Sequence, residues 1–179
     1  VLSAIQLLFV SFVIGLFPAV ALSTDAPEAG LMTRPPRDPR VPILNRSTAP
    51  VWLLVGLVMA ATCLLPFAWQ PLLGVPTAQT MTFAILALGT VWLAASVRRA
   101  QQPIWAGPIV PFWLWMLIPL ALSVLGVELP FLQEIVGTVS LTGLQWLTVL
   151  VLSLAVPLTS EVAKAVQRRG ARVGSPDNL

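Results

Sequence analysis

The chain offers very little with which to do chemistry. It has no His and no Tyr, and Cys63 is its single cysteine. Without an imidazole there is no histidine base and no histidine metal ligand, and a lone thiol makes neither an internal disulfide nor a zinc site. The seven acidic residues are Asp25, Glu28, Asp38, Glu128, Glu134, Glu161 and Asp177. Hard cations need several oxygen ligands, usually with carboxylates among them. Here only Glu161 lies inside a long apolar run, near its end, with Lys164 one helical turn away. That pair reads first as a helix-end ion pair, and only second as a transport site. What the sequence does supply is small residues at helical spacing. Ser11, Gly15 and Ala19 are each four apart, and Gly56 and Ala60 form a shorter version. Such a stripe lets a second helix approach closely in lipid. The alternative is the general abundance of Gly and Ala in membrane helices. Nothing in these residues calls for a cofactor, a metal or a catalytic group.

The elements that would position these residues follow from composition. Of 179 residues, 57% are hydrophobic and only 9% are charged, against about a quarter charged in a soluble domain. Mean hydropathy is +0.89. These values exclude a soluble globular enzyme, a disordered chain and a DNA-binding module, and leave the membrane class. A membrane helix needs about 20 mainly apolar residues, and five stretches qualify. They are residues 1–22 (apolar from position 2), 51–69, 78–97, 109–127 and 144–168 (apolar to position 166). The runs are long and continuous rather than alternating, so strands are not expected. Ala19-Val20-Ala21 has the form of a signal-peptide cleavage site, but no basic segment precedes it, so the first run reads as a span.

The charges give a direction. The ten basic residues fall in the Pro/Arg-rich loop 23–50, in the short loop 98–108, and from Lys164 into the tail 169–179. The other connections, 70–77 and 128–143, have none. Positive residues stay on the cytoplasmic side, so the first two loops and the tail are expected there, with the N-terminus and the 128–143 loop outside. The fold class is an all-α integral membrane protein with five transmembrane helices, N-terminus outside and C-terminus cytoplasmic. The basic residues mark topology, and no nucleic-acid partner is expected despite a pI near 10.5. Most tryptophans, Trp52, Trp69, Trp105, Trp113 and Trp146, stand near span ends, as interfacial anchors do. Trp92 lies within a span, where packing is the simplest role.

The segment Gln6–Asn45 resembles the sixth membrane helix and following cytoplasmic loop of P-type cation-transporting ATPases of the calcium-pump-like subfamily. The family signature there is a Q-[IL]-L-W-[VI]-N-L-V-T-D-G-x-P helix, an acidic and Pro-rich stretch, then M-x-R-P-P-R-x-P. In this chain Met32-Thr33-Arg34-Pro35-Pro36-Arg37-Asp38-Pro39 is nearly intact. Thr80-Met81-Thr82-Phe83 opens the third span as the family's eighth helix often opens. Pro130-Phe131-Leu132-Gln133, Thr138, Leu141 and Trp146 look like the connection between its ninth and tenth helices, and Ser160-Glu161-Val162-Ala163-Lys164 resembles the D-E-x-x-K near the end of the tenth. The resemblance implies helices six to ten of a ten-helix membrane domain, in the orientation that the arginines give independently.

Two departures define the functional expectation. This sequence contains no D-K-T-G-T phosphorylation motif, no T-G-E actuator motif and no nucleotide-binding domain, so it is expected to be non-enzymatic. Aligned on Pro18, the family's ligand positions fall on Ser11, Ile14 and Gly15, and the acidic ligand of its eighth helix falls near Thr90. The cation site is therefore expected to be lost, and Pro18 is expected to interrupt the first span as in the family. The leading expectation is a non-catalytic accessory or stabilising subunit of a larger integral-membrane complex, an ATP-driven lipid transporter being one candidate. It would sit in the bilayer of a bacterial cytoplasmic membrane, since the Lys-poor, Ala- and Arg-rich usage suggests a high-GC bacterium. Docking is expected through the span-one stripe or through the loop around Arg34, Pro35, Pro36, Arg37 and Arg40, which equally suits the anionic leaflet or plain solvation. The alternative is the C-terminal piece of a P-type ATPase whose catalytic half lies elsewhere.

Overall fold

A computed structural model describes residues 2–25, 49–98 and 110–173, with side chains to residue 166 in the last segment. The described residues are all helical or connecting, with no strand. Five helices are long and apolar enough to cross a membrane: Ala4–Ser23, Ala49–Ala68, Val75–Val97, Val110–Glu128 and Gly143–Val166. They are called spans one to five below. Two short helices, Gln70–Leu73 and Pro130–Val136, occupy the connections after spans two and four.

The third span is the axis of the bundle. Of its most apolar window 72% is buried, against 17% to 33% for the other four. Its small and medium residues Ala78, Met81, Ala84, Ile85, Ala87 and Leu88 are buried throughout. They pack with Val10 and Ile14 of span one, Val127 of span four, and Val149 of span five. The outer spans turn leucines outward, for example Leu53, Leu57, Leu117 and Leu147. In water that pattern would drive aggregation, whereas in lipid it costs nothing.

The irregularities have identifiable causes. Span one starts with a capping box, in which the Ser3 hydroxyl accepts from the Gln6 amide and the Gln6 side chain accepts from Ser3. Pro18 lies inside this span and does not break it. The expected interruption takes another form, a π-helical turn over Phe9–Ile14. Pro18 cannot donate to the Ile14 carbonyl, and Ile14 is where the wider winding ends. Span five changes at Leu154, between Gly143–Ser153 and Ala155–Val173. Pro157 lacks the donor that would reach Ser153, which accounts for that break. Gly74, at φ 78°, lets the chain reverse between Gln70–Leu73 and span three.

Candidate functional site

The positions that the resemblance assigns to cation ligands lie on and beside the π-helical turn. Ile14 is fully buried among the apolar residues of span three. Ser11 is exposed, one residue inside the same turn, and Gly15 is half-buried. A Cβ added at Gly15 would meet the Val10 carbonyl of its own helix at 3.4 Å and, among the described residues, no other helix within 4 Å. On span three, Thr90 donates its hydroxyl to the Leu86 carbonyl of its own helix at 2.8 Å. The side chains at these positions therefore point in different directions. Among the described residues no three of His, Cys, Asp and Glu stand together.

The small-residue stripe of span one faces away from the bundle. Ser11 and Ala19 are exposed, while Gln6, Val10, Ile14, Pro18 and Ala21 form the buried face. Gly56 and Ala60 of span two are also exposed, and nothing lies within 4 Å of where a Gly56 side chain would start. The tight glycine of the bundle is instead Gly89. A Cβ there would stand 2.9 Å from the Met59 methyl and 3.0 Å from its sulfur.

Polar side chains gather at the two ends of the bundle. At one end the 128–143 connection is pinned down. The fully buried Gln6 donates to the Gly137 carbonyl at 3.2 Å. The Thr138 hydroxyl donates to the Gly126 carbonyl, and the Val139 amide donates to the Thr80 hydroxyl at 3.0 Å. Gln133 donates to the Val127 carbonyl at 2.6 Å, and the Trp146 ring nitrogen donates to Glu128 at 2.7 Å. Of these residues, Gln6, Thr80, Gln133, Thr138 and Trp146 belong to the segments that carry the resemblance.

At the other end, Asp25 closes span one and Arg98 closes span three. The guanidinium makes a two-pronged bond to the carboxylate, Nε to Oδ2 at 2.8 Å and Nη2 to Oδ1 at 2.9 Å. The two side chains are only 10% and 1% exposed. The same guanidinium lies 4.9 Å from the Phe112 ring centre of span four. Phe112 packs edge-on against Trp113, and Trp113 against Trp92, which gives Trp92 its packing role. This clamp ties three spans together at one point. Sequence reading assigns Arg98 only as a span terminator and Asp25 no role. The available signal is that both are charges ending spans on the same side. Glu161 and Lys164 form an ion pair at 2.8 Å, one turn apart, but within the helix rather than at its end, since Ala155–Val173 continues past them. The loop residues Arg34, Pro35, Pro36, Arg37 and Arg40 lie outside the described residues.

Comparison with known proteins gives one consistent assignment. The family described as cation transporting ATPase, C-terminus, matches residues 1–166. The calcium-transporting ATPase of Bacillus subtilis strain 168 is 29% identical over 161 residues, which is 86% of this chain and 18% of that protein. The probable cation-transporting ATPase F of Mycobacterium tuberculosis is 35% identical over 65 residues, 36% of this chain and 7% of that protein, and the same figures hold for its Mycobacterium bovis counterpart. The chain thus spans less than a fifth of the length of these relatives. Five apolar helices, a pinned connection before the last of them and a family match over nearly the whole chain lead to one conclusion: this protein belongs to the family of cation-transporting ATPase C-terminal membrane regions.

Proposed function

We propose that this chain is a membrane-embedded packing unit, a non-catalytic accessory or stabilising subunit that docks other membrane helices and binds no cation of its own. The observation that carries this reading is the fate of the ligand positions. Ile14 is sealed into the apolar core, while Ser11 and Ala19 present small side chains outward, with the half-buried Gly15 between them. That is a surface for helix contact, and it lacks the converging oxygens that a hard cation requires. The docked complex is a larger integral-membrane assembly, with transport the natural context given the family. Its setting is the bacterial cytoplasmic membrane, with the N-terminus outside.

A second reading has support of its own. The π-helical turn lies where the family's sixth helix is irregular, and π turns recur at functional sites. On this reading the chain completes a cation-transporting ATPase whose catalytic half is a separate polypeptide. Both readings need helices against span one, so one experiment addresses both. The tagged chain is purified in mild detergent beside its Gly15→Ile variant. Specific loss of a membrane partner from the variant, with insertion intact, supports docking through span one, and retention of the partner overturns it. If that partner forms an acid-stable phosphoenzyme from ATP, as an aspartyl phosphate would, the second reading holds.

A further inference from the structure

Span one is tied to the bundle at both ends, and the two ties set its rotation. In its first half the fully buried Gln6 side chain donates to the Gly137 carbonyl. Past the end of its second half Asp25 holds Arg98 of span three in the two-pronged bond. The buried face between the ties runs through Val10, Ile14, Pro18 and Ala21. An unbroken α-helix would not keep both ties on that face. At about 100° per residue, Pro18, twelve residues after Gln6, would stand about 120° round the helix from it. Asp25 follows Thr24, whose backbone is still helical. Nineteen residues after Gln6, it would stand about 100° away.

The π turn removes the mismatch. Its closing bond runs five residues back, from the Gly15 amide to the Val10 carbonyl, so it takes up one residue more than an α turn does. That residue is worth about 100° of rotation, and absorbing it returns Pro18 and Asp25 to within about 20° of Gln6. We propose that span one is a two-register helix, with the π turn as its stored residue and the Asp25–Arg98 pair as its latch. With the latch closed, both halves face the bundle. When the latch opens, the turn relaxes to α-helix and the second half rotates by about 100° against the first, which Gln6 still holds. Each residue of the second half then takes the facing of the residue after it. Leu16, 58% exposed, takes the half-buried facing of Phe17. Leu22, which packs part-buried against the cluster around Phe112, takes the exposed facing of Ser23. The device decides which face span one shows, and it holds whatever docks there.

The test uses the whole chain in phospholipid nanodiscs, in a Cys63→Ser background. Nitroxides on Leu16→Cys and Leu22→Cys report lipid exposure through their collision rate with oxygen. Opening the latch with Arg98→Gln should lower the rate at position 16 and raise it at position 22. In a chain that lacks Phe12 no residue is stored, so the same Arg98→Gln change should move neither label. If Arg98→Gln does not fold, Asp25→Asn opens the same latch. Labels that stay put when the latch opens overturn the proposal, as do equal shifts with and without Phe12. Two deletions test the stored residue separately. Phe12, 72% exposed, lies in the π turn, and Leu57, 59% exposed, lies in the unbroken helix of span two. Deleting Phe12 should keep both ties in register and leave the denaturant midpoint no lower than that of the native chain. Deleting Leu57 takes Val55 out of register with Thr62 and Pro66 and should lower the midpoint clearly. Equal losses from the two deletions would show that the π turn holds no removable residue, and would overturn the two-register helix.

Discussion

The Asp25–Arg98 pair shows how much a single contact decides in an otherwise apolar bundle. A buried ion pair recovers its desolvation cost only with good geometry and satisfied hydrogen bonds, and removing one partner leaves an uncompensated charge. Here the geometry is two-pronged and an aromatic ring underlies the guanidinium. Arg98→Met should therefore destabilise the chain in detergent by about 3 kcal/mol. The double change Arg98→Met/Asp25→Leu should cost less than the sum of the two single changes, because the two-pronged bond is lost only once. Unfolding titrations of the native chain and the three variants check this, and a double variant whose loss equals that sum would show that the pair is not the coupled unit. Gly89 and Gly56 make a second contrast. Gly89→Leu should cost about 1–3 kcal/mol by overpacking, since Gly89 is buried and the larger side chain would have to enter the contact with Met59 of span two and Val156 of span five. Gly56→Leu points into open space and should unfold at the same denaturant concentration as the native chain. Sequence spacing singles out Gly56 and is silent on Gly89, because a stripe motif marks small residues without saying which face the bundle buries.

At the scale of elements, what was legible was whatever depends on the chain alone. Hydropathy located five spans because each had to be about 20 apolar residues long whatever its neighbours did. The break at Leu154 goes with Pro157, which the sequence reading did not single out, since proline alone does not decide it: Pro66 and Pro119 stand inside unbroken helices. The form of the irregularity in span one was not legible. Pro18 suggests a broken helix, whereas the backbone absorbs the missing donor upstream in a π turn at Phe9–Ile14. Nor could the outward direction of Ser11 and Ala19, on either side of the half-buried Gly15, be read, since small residues suit a buried face and a docking face equally well. Their exposure makes a sharp prediction for span one as an element. Among the described residues, no other helix lies within 4 Å of a Cβ placed on Gly15. Gly15→Ile should therefore insert normally and unfold within about 0.5 kcal/mol of the native chain, as surface changes do, while its membrane partner is lost. A large drop in intrinsic stability would instead mean that the stripe packs inside this bundle.

The whole molecule is polarised, and its polarity bears on direction in the membrane. One end carries the neutral hydrogen-bonded connection around Gln6, Gln133, Thr138 and Trp146. The opposite end carries Asp25, Arg98 and the Glu161–Lys164 pair. Spans one, three and five finish there and spans two and four begin there, so the basic segments 34–46 and 168–172 join the bundle at that same end. Retention of Lys and Arg on the cytoplasmic side predicts that this face should be the cytoplasmic one. This can be checked on intact cells in a Cys63→Ser background, with single cysteines introduced in turn at Ser47, Ser175 and Ser140. Ser47 and Ser175 flank the basic segments, and Ser140 is exposed in the pinned connection at the far end. A membrane-impermeant maleimide should label the Ser140→Cys protein from outside, and should reach Ser47→Cys and Ser175→Cys only after the membrane is opened. The opposite pattern would invert the molecule and place every arginine outside.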